Sequence, residues 1–414
     1  MNYMESNLLI VKKISLEIDG AINLSMKKLN TFVILIMFFM VGCEQRQVGY
    51  EDFITVDVTK SYSSKKELIL QDFMDVEYIA LETTDNFVNQ GLVKDIGQNI
   101  ILLINRNNDG DIFIYDRTGK IVRKINHKGQ GSEEYTYITH IILDEDNKEF
   151  FVNDHFLRKI VVYDLSGNFK RSLQYKENTN GMSYTEINNY DKNNLICFDE
   201  YNKSRVFVLI SKQDGNITKK IEIPVKDTKM LMQFLTDEAE GVTYSAGPDP
   251  YCTIIPFKGN KILLELSSDT VYTFSPDYSL HPFIVRTPSI QSMSPEIMLI
   301  LRLLSDRYYF METISNEYNF NTKTGFSKTY FMYDKQEKVF SGYVVYNGDF
   351  MIKKEIYMSL LKPVNHKDEL WQRLDAYQLV ESYKKGELKG KLKEIAATLN
   401  EESNPVIMLI KHKK

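Results

Sequence analysis

An all-β fold is what three features of this sequence predict. Strand-forming residues are abundant: the 414-residue chain holds 26 Tyr and 23 Phe against one Trp, and aromatic and β-branched side chains fit the pleated, half-buried surface of a sheet. Short runs of alternating apolar and polar residues recur along the chain, the pattern of a strand with one buried face. Between the runs stand Asp, Asn and Gly. These suit tight turns, because Asp bonds its own backbone and Gly accepts positive φ.

The elements follow in order from those rules. "DIFIYDRTGKIVRKI" covers 111–125 and "RKIVVYDLSGNFKRSL" covers 158–173, with Asp116 and Asp164 48 residues apart. A third copy, "RVFVLISKQDGNITKKIEI" at 205–223, places Gly215 48 residues beyond Gly167. Weaker copies stand at 269–285 and 328–346. Further strand pairs at 139–154, 186–200 and 253–266 carry Asp, Asn or Gly at their centres. A four-stranded unit at this period is the pattern of a β-propeller blade. One small twisted sheet cannot bury both faces alone, and radial stacking covers each face with a neighbour. Over 53–362, a period of roughly 50 residues gives a six-bladed β-propeller.

Three segments break the repeat. In 289–312, Ser294 precedes Pro295 and Glu296, a helix-start signal. Ile297, Ile300, Leu301 and Leu304 share one helical face, so a short inserted helix is expected. Residues 228–251, richer in turn residues, read as a second insertion. In 367–411, Leu370, Leu374 and Tyr377, then Leu392, Ile395 and Leu399, predict two helical pieces parted near Gly386 and Gly390. Asn404-Pro405 stops the helix, and 406–410 reads as a strand. A propeller must also join its first and last blades or expose an edge. Strand 53–58 or strand 406–410 is expected to complete the last blade beside 328–346.

The N-terminal region carries an address. Lys27 and Lys28 precede a ten-residue apolar run, Phe32 to Val41. That is too short to span a bilayer and fits a signal-peptide core. The run ends in Met40-Val41-Gly42-Cys43, which resembles a bacterial lipobox, whose cysteine is lipidated and becomes the new N-terminus. Residues 1–25 lie upstream of this complete signal, and Met26 is the expected start. The domain reading is a signal peptide at 1–42, a lipidated linker at 43–52, the propeller at 53–362, and a C-terminal helical segment with a final strand at 363–414. Cys197 and Cys252 lie in apolar strand-like runs without metal-ligand spacing, and buried free thiols are expected.

The runs "FMDVEYIALETTDNFV" (73–88), "IFIYDRTGKIVRKINHKGQGSEEY" (112–135) and "FFVNDHFLRKIVVYDLSGNFKR" (150–171) resemble the six-bladed β-propeller lipoproteins of Bacteroidetes, relatives of NHL-repeat propellers. Ile79, Leu81, Glu82 and Thr83 match that family's Ile-x-Leu-Glu-Thr strand. Gly129, Gly131, Glu134 and Tyr135 match its Gly-x-Gly-x-x-Glu-Tyr linker, with Ser132 and Glu133 where Pro and Gly are usual. The tail "NPVIMLIKHKK" is similar to the family's ending. The resemblance implies fold and location, an outer-membrane lipoprotein of the cell envelope, and no established activity.

Chemistry is sparse. "GQGSEEY" lacks the helix and Lys-Ser/Thr context of a phosphate loop, so Gly129, Gly131, Glu134 and Tyr135 are read as an inter-blade connector. No two of the six His have the spacing of a zinc helix. His127, His140 and His155 are the group that would gather near one blade end, and no metal, cofactor or catalytic residue is expected. The formal charge of −5 leaves no basic footprint for nucleic acid. A lipid-anchored, extracytoplasmic binding or scaffold module for a glycan, peptide or envelope protein is expected, with a hydrolase or lyase at the channel mouth as the alternative. Tyr244, Tyr251, Tyr308 and Tyr309 are the candidate ligand-binding residues, because aromatic faces offer stacking area at low entropy cost.

Overall fold

The computed structural model describes residues 53–176, 183–202, 205–364 and 368–413. Within them the chain forms a six-bladed β-propeller, each blade an antiparallel sheet hydrogen-bonded mostly in chain order. The first blade is Leu92–Ile96, Ile100–Ile104, Asp111–Asp116 and Ile121–Asn126. The second blade spans 140–174, the third 186–222, the fourth 254–287 and the fifth 297–346.

Alternation along each strand decides which gap a side chain enters. Leu102 and Ile104 pack with Ile141, Phe150 and Val161 between blades one and two. Their neighbours Ile101 and Leu103 turn the other way and meet Ile407 and Leu409 of the last blade. Every gap between adjacent blades has such a core. Truncating one of these side chains, as in Leu103→Ala, costs about 2–5 kcal/mol.

Burial on both faces also corrects one expectation. Residues 297–304 are not a helix but the strand Ile297–Leu304, paired with Tyr308–Ser315. A strand covered on both sides reads as a continuous apolar run, which helical spacing cannot distinguish from a helix face. Only Ile290–Ser292 form a short 3-10 turn. Insertion 228–251 is a hairpin of Gln233–Asp237 with Val242–Ala246.

Ring closure also differs from expectation. The sixth blade is ordered Lys362–Pro363, Glu369–Leu374, Val406–His412 and Met74–Ala80. Its third and fourth strands come from opposite ends of the described chain, with Ala80 opposite Val406 and Met74 opposite His412. The strand beside Val339–Tyr346 is Lys65–Ile69, running parallel to it, and Ile54–Asp57 lies parallel to Leu280–Thr287 in the fourth blade. Neither expected strand therefore sits beside 328–346, because the C-terminal residues build a further blade of their own. Between that blade's second and third strands come two helices, Ala376–Lys384 and Gly390–Ala396. They seat Leu379, Leu392 and Ala396 in the core between blades five and six. Leu370 and Leu374, expected at a helix start, belong to the strand before them.

Candidate functional site

The first strand of each blade faces the propeller axis. At one mouth these strands and their flanking loops enclose a cavity of about 590 Å³ with residues from all six blades, among them Lys94, His140, Glu186, Cys252, Arg302 and Lys362. No sequence motif joins these residues; the ring does.

Each wall residue is set by its blade. Lys94 Nζ donates to the Thr139 carbonyl at 2.9 Å and to Asn107 Oδ1 at 3.2 Å. Burial pushes this ammonium down to about 8, and the nearby Lys362 charge adds to the effect. His140 is pushed down to about 3 by burial and by the charges of Lys94 and His155, so its ring is neutral at pH 7. Its Nδ1 is buried without a hydrogen-bond partner.

Glu186 ties blade three to blade four. Its carboxylate accepts from Thr253 N at 2.8 Å, Thr253 Oγ1 at 2.6 Å and Ile254 N at 3.0 Å. Burial outweighs these donors and raises the carboxyl above its ordinary value. The Tyr251 hydroxyl donates to Glu200, and burial raises that phenol as well. Cys252 is a free thiol, pushed up to about 12 chiefly by burial and then by Glu186. Arg302 donates to the Pro250 carbonyl at 2.7 Å and to Glu312 Oε1 at 2.5 Å. The Lys362 ammonium stands 5.7 Å over the ring of the buried Trp371. Such a wall can hold a ligand by charge, hydrogen bond and ring contact. It offers no thiolate nucleophile.

At the opposite end of the axis a second cavity, of about 460 Å³, is bordered by Asp144, Lys212 and Lys261. Lys212 Nζ donates to Asp144 Oδ2 at 2.5 Å in a fully buried pair. Burial opposes ionisation of Asp144, but the Lys212 contact holds the carboxyl below its ordinary value. Among the described residues no group of His, Cys, Asp or Glu is placed to hold a metal ion.

The sequence-predicted residues separate. Tyr251 lines the axial cavity. Tyr244 lies exposed on the hairpin, opposite Leu235. Tyr308 and Tyr309 are buried at the start of the second strand of blade five, where Tyr308 lies under Arg307 and Tyr309 packs against Phe257 and Phe283. They are core residues because neighbouring blades cover both faces of that strand. The three histidines do not form one group. His127 stacks on Tyr163, whereas His155 bonds Thr139 Oγ1 at 2.7 Å, near His140. Cys43 lies outside the described residues. Cys197 is a buried free thiol.

The run "GQGSEEY" links the last strand of blade one to the first of blade two. Gly129 N donates to the Tyr135 carbonyl at 3.0 Å, and Tyr135 N to the His127 carbonyl at 3.1 Å. Glu134 Oε2 accepts from Gly131 N at 2.8 Å. The buried Tyr135 hydroxyl donates to the Gly110 carbonyl at 2.7 Å. Sequence reasoning places His140 only in a histidine group near a blade end, and it misses Lys94, Glu186 and Trp371. The available signal was their place at or beside the first strand of a blade.

Residues 53–411 match the DUF4934 family, described as a domain of unknown function. No curated protein matches the chain. Among solved structures, a protein described as exported from Bacteroides fragilis is similar at 16% identity and TM-score 0.57, over 87% of this chain and 100% of that one. A member of the duf4221 family from Bacteroides vulgatus is 9% identical at TM-score 0.44, over 83% of this chain and all of that one. BamB from Moraxella catarrhalis is 8% identical at TM-score 0.39, over 82% and 99%. Identity this low speaks to the fold and not to activity.

Proposed function

This chain belongs to the DUF4934 family, and on that premise we propose that it is an extracytoplasmic binding module that takes its ligand in the axial cavity. The observation that carries the reading is the cavity wall, to which every blade contributes. A concave site built by many loops places a few polar groups among apolar ones without disturbing the blade cores. Export is supported by the signal-like run ending at Cys43 and by the similarity to a protein described as exported. Lipidation at Cys43 and a place in the outer membrane belong to the same proposal, as does a glycan, peptide or envelope protein as partner.

Catalysis by a hydrolase or lyase has less support. Cys252 is held protonated, and both Glu186 oxygens are engaged by Thr253 and Ile254.

The test is a glycan array and a pull-down with the soluble fragment 44–414, run beside Ser359→Trp. Ser359 lines the mouth and is half-buried, so the larger side chain should block entry without touching a blade core. Loss of the captured partner with unchanged melting supports the cavity as the site, and undiminished capture contradicts it. Separately, Cys43→Ala should move the protein from the membrane fraction to the soluble one. A variant as membrane-bound as wild type removes the anchor from the proposal.

A further inference from the structure

What the cavity takes can be argued from its charges, on the reading that the cavity is the ligand site. The wall is electrically uneven. Blades three and four place Glu186, Glu200 and Asp249 on it, and blades six, one and two place Lys362, Lys94 and His140. Most of these groups are engaged. Glu186 is bound by Thr253 and Ile254, and Glu200 accepts the Tyr251 hydroxyl. Asp249 pairs with Lys328, and Arg302 with Glu312.

The two lysines are the exception. Lys94 donates only to neutral oxygens, those of Thr139 and Asn107. Lys362 contacts the Trp371 ring. Neither forms an ion pair among the described residues. They lie close enough that each charge opposes the other, and His140 Nδ1 is buried beside them without a partner. Leu360, Leu361 and Trp371 supply an apolar floor next to the pair.

We propose that the axial cavity binds a small organic carboxylate, its charged end held by Lys94 and Lys362 and its apolar body against Trp371 and Leu361. One anion between two like charges turns their repulsion into two attractions, and charge-assisted hydrogen bonds are the stronger kind. Inorganic phosphate shares the charge but leaves the apolar floor unused. Lys94, depressed to about 8, should regain its proton when the anion arrives, so binding near pH 8 takes up protons.

The experiment is calorimetry on the full chain in buffer free of carboxylate and phosphate. Phenylacetate and hexanoate are titrated, with phenylacetamide, hexanamide and inorganic phosphate as comparators. The acids should bind, and the amides and phosphate should bind at least about tenfold more weakly. Lys94→Met and Lys362→Met should each weaken the acids about tenfold, while Lys94→Arg retains them. Two buffers of different ionisation heat should reveal proton uptake at pH 8. Lys362 is exposed, so its variant folds whatever happens at Lys94. Amides binding as well as acids, phosphate binding best, Lys362→Met matching wild type, or no acid binding at all would overturn the inference. If the acids fail while Ser359→Trp still abolishes capture of another partner, the cavity stands and only its carboxylate preference falls. If Ser359→Trp leaves acid binding intact, both readings fall together.

Discussion

Blades one to three and blades four and five protect their outer edges in different ways. The outermost strands of the first three, Ile121–Asn126, Phe169–Gln174 and Ile217–Glu222, are bare on one side. Each carries adjacent cations: Arg123 and Lys124, Lys170 and Arg171, Lys219 and Lys220. Charge on an edge strand discourages pairing with another chain. The corresponding strands of blades four and five are apolar at their centres, Phe283-Ile284-Val285 and Tyr343-Val344-Val345. The N-terminal segment covers them, with Ile54–Asp57 on one and Lys65–Ile69 on the other, before completing blade six as Met74–Ala80. The first three blades guard their edges with side chains, whereas a length of backbone covers the edges of blades four and five.

The largest effect is expected at the strand that closes the ring, Val406–His412. Deleting 404–414 removes Val406–His412, the strand that joins Glu369–Leu374 to Met74–Ala80. The expected outcome is loss of the cooperative melt and of soluble monomer, read by circular dichroism and gel filtration. Unchanged melting would show that the ring does not depend on this strand.

A smaller effect is expected from deleting 53–69, which bares two apolar edges but leaves the six blades in place. The melt should persist at lower temperature, and light scattering should report concentration-dependent association. The matching change in the first three blades is Lys219→Val with Lys220→Val, which should promote association with little loss of melting temperature. A deletion that stays monomeric would contradict the role assigned to the N-terminal segment.

One repeat position distinguishes the blade beside the ring closure from a blade inside the series. Gly119 and Gly215 both turn with positive φ, +86° and +71°. A Cβ at Gly119 would stand 2.0 Å from the carbonyl oxygen of Ala80, at the end of strand Met74–Ala80, whereas one at Gly215 would meet Leu173 Cβ at 3.1 Å. Gly215→Ala should cost about 1 kcal/mol for the backbone conformation. Gly119→Ala should cost about 2–3 kcal/mol more, because backbone must shift. Equal costs by denaturant titration would mean that strand Met74–Ala80 yields freely.

The effect of pH on His140 is confined to acid solution and absent at neutral pH. Its imidazole is held down to about 3 against an ordinary 6.5, by burial first and then by Lys94 and His155. The unfolded chain therefore binds the proton at higher pH than the folded one, and stability falls as pH drops from 6.5 toward 3. His140→Gln should flatten the upper part of that fall, above about pH 4.5 where most carboxylates stay ionised. An unchanged slope would place the titration elsewhere.

The same contrast explains what the sequence revealed. Asp116, Asp164 and Asp214 each accept from a backbone N–H two residues on, at 2.8, 2.8 and 3.0 Å. This local chemistry repeats with the blades and is legible in the sequence. Strand Ile297–Leu304 was misread because burial on both faces erases alternation. Closure through Met74–Ala80 was missed because pairing partners more than 300 residues apart leave no local trace. Of the cavity wall, Tyr251 was anticipated from its loop. Lys94, His140 and Glu186 each stand alone on a blade and acquire meaning only when the ring brings them to one axis.

The proposed role of the ring is to present its axial cavity to a ligand. A crystal structure of the chain soaked with the best hit from the array or the acid panel tests it most directly. Ligand density is expected inside the cavity, between Lys94 and Tyr251. Density on the outer blade edges or the exposed hairpin 233–246, with the axis empty, would contradict it.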